Sequence, residues 1–126
     1  MWRGCVFFAS SYVKLQDAFV AESGAYYGNF DKIGYQAPGQ NGSTSNFTYA
    51  DPKTDYSDGT ASLTPSNVDT WQATNKIKLN DCAGNAANWK LGVSQAESST
   101  QGQYKWTATV GTNCDVLTPN FNNFNN

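Results

Sequence analysis

The feature that most constrains this chain is a single change of hydrophobic period along it. Phe8, Tyr12, Leu15 and Phe19 step by four, three and four, which is the spacing of one stripe of an α-helix. Lys14, Gln16, Asp17 and Glu22 fall largely off that stripe. Gly24 follows as a C-cap, because glycine takes the left-handed conformation without steric cost. The spacing predicts a helix over 5–23.

Past residue 44 the period becomes two. In Asp69–Asn80 the odd positions carry Trp71, Ala73, Ile77 and Leu79, while the even positions carry Thr70, Gln72, Thr74, Lys76 and Lys78. Trp89, Leu91 and Val93 alternate with Asn88, Lys90 and Gly92 in Ala87–Ser94. From Gln103 to Thr112, Tyr104, Trp106, Ala108 and Val110 alternate with Lys105, Thr107 and Thr109. Period two with one apolar face predicts an antiparallel sheet covered on one side. Ser45–Ala50 adds a strand with Phe47 and Tyr49 on one side, and Ala61–Leu63 a short one.

The glycine-rich stretch 24–43 reads as a loop with one helical turn near Phe30–Ile33, and Asp51–Thr60 as a turn-rich loop. NDCAGNA and AESSTQG are hairpin-sized links. The expected fold is therefore α+β: an N-terminal amphipathic helix packed on a four-stranded antiparallel sheet. Its cover is the stripe Phe8, Tyr12, Leu15 and Phe19. At 126 residues the chain is expected to be one domain, 1–126. Its last residues, 119–126, form an Asn-rich tail expected to lie on the surface or fray.

Composition removes several functions. The net charge is −2, only 14% of residues are charged, and the single arginine is Arg3. Nucleic acid binding needs clustered cations, so none is expected. There is no histidine, which takes away the usual general base and the commonest metal ligand. Three cysteines without a CxxC spacing argue against structural zinc. Cys82 and Cys114 are read as a disulfide, which implies an oxidising compartment; the alternative is two buried thiols. Cys5 is expected to stay free. The apolar run Cys5–Ala9 is too short to span a membrane and lacks the shape of a signal peptide.

Three constellations bear on chemistry. Asp51, Asp55 and Asp58 share one loop, the kind of oxygen-rich segment calcium uses. Their spacing does not match a calcium loop, and a solvated turn is the plainer reading, so no cofactor or metal is expected. The two glutamates, Glu22 and Glu97, are placed apart, and no glycosidase pair forms. Trp71, Trp89 and Trp106 recur on neighbouring strands. Exposed and coplanar they would stack a polysaccharide, but their parity with Ile77, Leu91 and Val110 favours the core. Asn41-Gly-Ser43 and Asn46-Phe-Thr48 match the glycosylation sequon, a frequent coincidence in an Asn-rich chain.

Helix, glycine-rich loop, antiparallel strands and a late disulfide loop together resemble the type IV pilins and the related type II secretion pseudopilins. The segment SYVKLQDAFVAESGAYYGNFDKIGYQAPG, Ser11 to Gly39, looks like the helix and following loop of Fibrobacter-type pilins. The stretch YKWTATVGTNCDVLTPNF, Tyr104 to Phe121, is similar to pilin C-termini, where a last strand leads to the second cysteine. The resemblance covers residues 8–121. The family's long apolar N-terminal helix and its cleavage site are not present. MWRGCVFF stands in that place, so 1–9 reads as a truncated or altered N-terminus. The resemblance implies a noncatalytic subunit of a filament at the bacterial cell surface, used for adhesion, motility or secretion. Its partners would be other pilin subunits met through the N-terminal helix. The competing expectation is a secreted carbohydrate-binding module.

Overall fold

The computed structural model describes residues 2–24, 26–95 and 104–125, with side chains from Phe7 onward. Cys5, the link 96–102 with Glu97, and Gln103 therefore lie outside what is described. Helix α1 spans Trp2–Ser23. It stops at Gly24, whose φ of +89° turns its N–H onto the Val20 carbonyl at 2.9 Å. Strand β1 (Tyr26–Gly28) follows, then the single turn α2 (Phe30–Ile33), whose N-cap Asn29 accepts from the Lys32 N–H. Strand β3 (Thr60–Ser62) returns to pair antiparallel with β1. Of this two-stranded ribbon, β1 lies in the stretch that reads as loop from sequence, while β3 falls within one residue of the short strand expected at Ala61–Leu63.

The main sheet has the order β2-β4-β5-β6, with β2 Phe47–Ala50, β4 Val68–Asn75, β5 Ala86–Gln95 and β6 Tyr104–Val110. All its pairings are antiparallel. One face carries Phe47, Tyr49, Trp71, Ala73, Trp89, Leu91, Val93, Trp106 and Ala108, all buried. The expected fold class, a long N-terminal helix with a four-stranded antiparallel sheet, is what the chain adopts.

Three details of the pattern differ from expectation. The strand predicted over Asp69–Asn80 ends at Asn75. There the Asn75 amide donates to the carbonyls of Ile77 and Ala83 at 2.9 and 2.8 Å, folding the chain into a loop. Ile77 is consequently 53% exposed, while Leu79 is buried beside Cys82. Second, Thr70 does not face solvent. A register irregularity between Asp69 and Trp71 lets two successive residues, Thr70 and Trp71, both be fully buried; a bulge re-aims a side chain in this way. Third, the tail does not fray. Short 3-10 turns at Asp115–Leu117 and Phe121–Phe124 lay Leu117, Thr118 and Phe121 into the core.

The three core indoles show what covers the sheet. Trp71 Nε1 donates to Tyr35 Oη (3.2 Å), Trp89 Nε1 to Thr118 Oγ1 (2.7 Å) and Trp106 Nε1 to Asp17 Oδ1 (3.1 Å). A buried indole N–H needs a partner. Each one finds it on a different covering segment: the connector, the tail and α1. Burying a ring of this size is worth roughly 4–6 kcal/mol as an upper bound.

Candidate functional site

Helix α1 lies in a different rotation from the predicted stripe. Its buried residues are Ala9, Tyr12, Gln16 and Val20. Phe8 and Phe19 are half-buried and pack at the edges of the core, and Leu15 is 37% exposed. Periodicity counts apolar atoms, and Gln16 has none at its tip. Yet its amide is fully buried because it acts as a peptide group. Its Oε1 accepts from the Gly28 N–H at 2.9 Å, and its Nε2 donates to the Gly28 carbonyl at 2.8 Å. The same Nε2 donates to Tyr12 Oη at 2.9 Å. Tyr12 in turn donates to Thr70 Oγ1 at 2.6 Å, which is why the bulge at Thr70 matters. The chain Gln16–Tyr12–Thr70 joins α1, β1 and β4 through the core. Burial holds the Tyr12 phenol well above its usual range.

Asp17, one residue on, ties α1 to the far strand. Its carboxylate accepts from Tyr104 Oη and from the Trp106 indole. Burial raises its pKa, against the lowering effect of the Trp106 bond. Asp17 is exposed and off the apolar stripe, as its spacing predicts, and it also tethers α1 to β6.

At the other end of the sheet Cys82 and Cys114 form a disulfide. Asn75 and Asn88 frame it. Asn88 donates to Asn75 Oδ1 at 2.8 Å and to the Ala83 carbonyl at 2.9 Å. Asn88 falls at the second irregularity of the β4–β5 pairing. Gly111, across the ladder from it, has little room for a side chain: a Cβ there would lie 2.1 Å from Asn88 Oδ1, so the Asn88 amide would have to shift. Ile77 and Val116 stand exposed around this end.

Two open clefts meet on the remaining flank. One, of about 490 Å³, is lined by Asn29, Phe30, Asp31, Asp51, Lys53 and Tyr56 among others. The second, of about 440 Å³, is lined by Phe30, Gln36, Asn41, Tyr49 and Asp51 among others. Phe30 and Asp51 belong to both. Asp51 sits just past β2. Its Oδ2 accepts from Tyr56 Oη at 2.6 Å and its Oδ1 from the Lys53 N–H at 2.9 Å. Burial outweighs these bonds and pushes its pKa up to about 6. Burial, then the hydrogen bond to Asp51, pushes the Tyr56 phenol up as well. Lys53 Nζ pairs with Asp55 Oδ1 at 2.6 Å and lies 5.3 Å from the Tyr56 ring centre.

The three aspartates weighed for calcium do not come together. Asp51 turns in to Tyr56, Asp55 turns out to Lys53, and Asp58 holds the left-handed corner of a turn at φ +54°. Among the described residues no three acidic or cysteine side chains gather as a metal would need. Trp71, Trp89 and Trp106 are core residues, 0–4% exposed, and offer no stacking platform. The cleft residues were missed, although a signal for their scaffold was present. Asn41-Gly42 and Asp58-Gly59 have positive φ at both positions and join the paired residues Gln40–Ser43 and Ser57–Thr60. That is the geometry of type I′ turns, which Asn-Gly and Asp-Gly announce.

Compared with known proteins, the chain matches no family model, and neither a curated protein nor a solved structure matches it significantly.

Proposed function

We propose that this chain is a noncatalytic structural subunit of an extracellular filament of the type IV pilus or pseudopilus kind. The observation that carries the reading is the division of α1 into two faces. One face, Ala9, Tyr12, Gln16 and Val20, is locked into the subunit's own core. The other leaves Phe7 65% and Leu15 37% exposed beside it. A helix built into a filament has both duties: it holds its own globular part and offers a side to its neighbours. The disulfide fits an oxidising, extracellular setting. Among the described residues no helix is long and apolar enough to cross a membrane.

Reading the coding sequence on the 5′ side of Met1 tests the proposal. A prepilin-type leader followed by about 20 apolar residues running in frame into α1 is the expected result. A conventional cleaved signal peptide directly abutting residue 1 would contradict the proposal.

A further inference from the structure

We propose that the two clefts meeting at Phe30 and Asp51 form a binding site for a neutral oligosaccharide. Each cleft, at about 490 and 440 Å³, falls in the range of small-molecule sites. Their shared residues make them adjacent subsites. Phe30 lines both, and its ring is held by edge contacts to Tyr12 and Tyr35, with centroids 5.5 and 4.8 Å away. A half-buried, immobile ring suits the C–H face of a sugar.

The polar groups complete the match. A carboxylate has about four acceptor positions. Asp51 spends one on Tyr56 and one on the Lys53 N–H, so it remains an oriented acceptor for hydroxyl donors. Asn29, Gln36 and Asn41 supply amides that serve as donor and acceptor both. Asn29 Oδ1 is anchored by the Lys32 N–H at 2.8 Å, which fixes the orientation of its amide.

Other ligand classes fit less well. Asp31 and Asp51 line one cleft together with Lys53, whose ammonium is already paired with Asp55, so the lining disfavours an anion. A hard cation needs more carboxylates than converge anywhere among the described residues. A peptide added as an edge strand would need the free rim of β2. That rim is already used, with the Tyr49 N–H on the Gly42 carbonyl at 2.7 Å and the Thr44 N–H on the Phe47 carbonyl at 2.8 Å.

The test is NMR titration of the full chain with cellotetraose, mannotetraose and maltotetraose. The inference does not rest on the filament reading, because the titration needs no assembly. Expected are saturable shifts at Phe30, Thr54 and the side-chain amides of Asn29 and Asn41 with at least one neutral sugar. Asp51→Ala and Tyr56→Phe should weaken the affinity roughly tenfold, as losing a charged and an orienting hydrogen bond does. Tyr56→Phe keeps the ring packed on Tyr27 and decides the matter if Asp51→Ala fails to fold. Ile77→Ala, at the disulfide end, should bind as the parent does. No shift with any of the three sugars, shifts confined to another surface, or stronger shifts at these residues with calcium alone would each overturn the proposal.

Discussion

Side-chain amides do much of the structural work usually left to backbone in this chain. Gln16 bonds both polar groups of Gly28, and Asn125 does the same for Ala108, accepting from its N–H at 2.8 Å. Asn41, Asp58, Asn80, Asn85 and Asn113 are the non-glycine residues with positive φ among those described; Asn and Asp tolerate that conformation best. The amide-rich composition is thus partly a turn and capping vocabulary. Gln16→Leu should cost about 2–4 kcal/mol, because Gly28 is left with two buried unpaired groups. Leu15→Ala, at an exposed position, should cost under about 1 kcal/mol. Denaturant melts of the two variants check the rotation assigned to α1; equal losses would restore the predicted stripe.

Asp51 makes stability depend on pH. Its folded pKa of about 6 lies above the ordinary carboxylate value. The folded state therefore holds the proton more tightly, and this group's contribution is complete below about pH 4 and lost as pH rises through 6. Asp51→Asn should remove that slope. Because Asp51 is only partly buried, the difference in stability between pH 4 and pH 7.5 should shrink by about 1 kcal/mol, well under the full value of the shift. Thermal melts at the two pH values measure it, and parallel changes in parent and variant would mean Asp51 titrates normally when folded.

At the scale of elements, periodicity read the parts that bury apolar side chains against each other. Trp89, Leu91 and Val93 face the core as predicted, but the alternation lapses at the end of β5, where Gly92 and Ser94 are buried as well. Periodicity failed where hydrogen bonding set the geometry. It carried β4 past Asn75, placed Thr70 outside, and put Leu15 rather than Gln16 on the inner face of α1. The tail failed for a different reason: NFNNFNN carries no period and looks like low complexity, yet Phe121 is fully buried with its ring tilted against Trp71, centroids 6.2 Å apart. Asn125 then closes the outer edge of β6 at Ala108. Edge strands left open invite pairing with other chains. Phe121→Ala should cost about 3–5 kcal/mol. Asn125→Ala should speed hydrogen exchange at the Ala108 amide with little effect on β5. Slow exchange at Ala108 in that variant would show that something other than the tail protects the edge.

At the scale of the whole molecule, three covers meet on one sheet face and each is pinned by one indole. Fold class, the helix, the cysteine pair and the core tryptophans were legible because they depend on apolar pattern and cysteine number. The cleft at Asp51 was not, because the loops that shape it carry no period; only their Asn-Gly and Asp-Gly turns could have marked them. The proposed function makes the chain a subunit of a surface filament. Immunogold electron microscopy on intact producing cells, with antibody raised against the chain, tests it most directly. Gold particles in rows along thin extracellular filaments are expected. Diffuse label on the cell body, or antigen recovered only as dispersed protein in the medium, would contradict it.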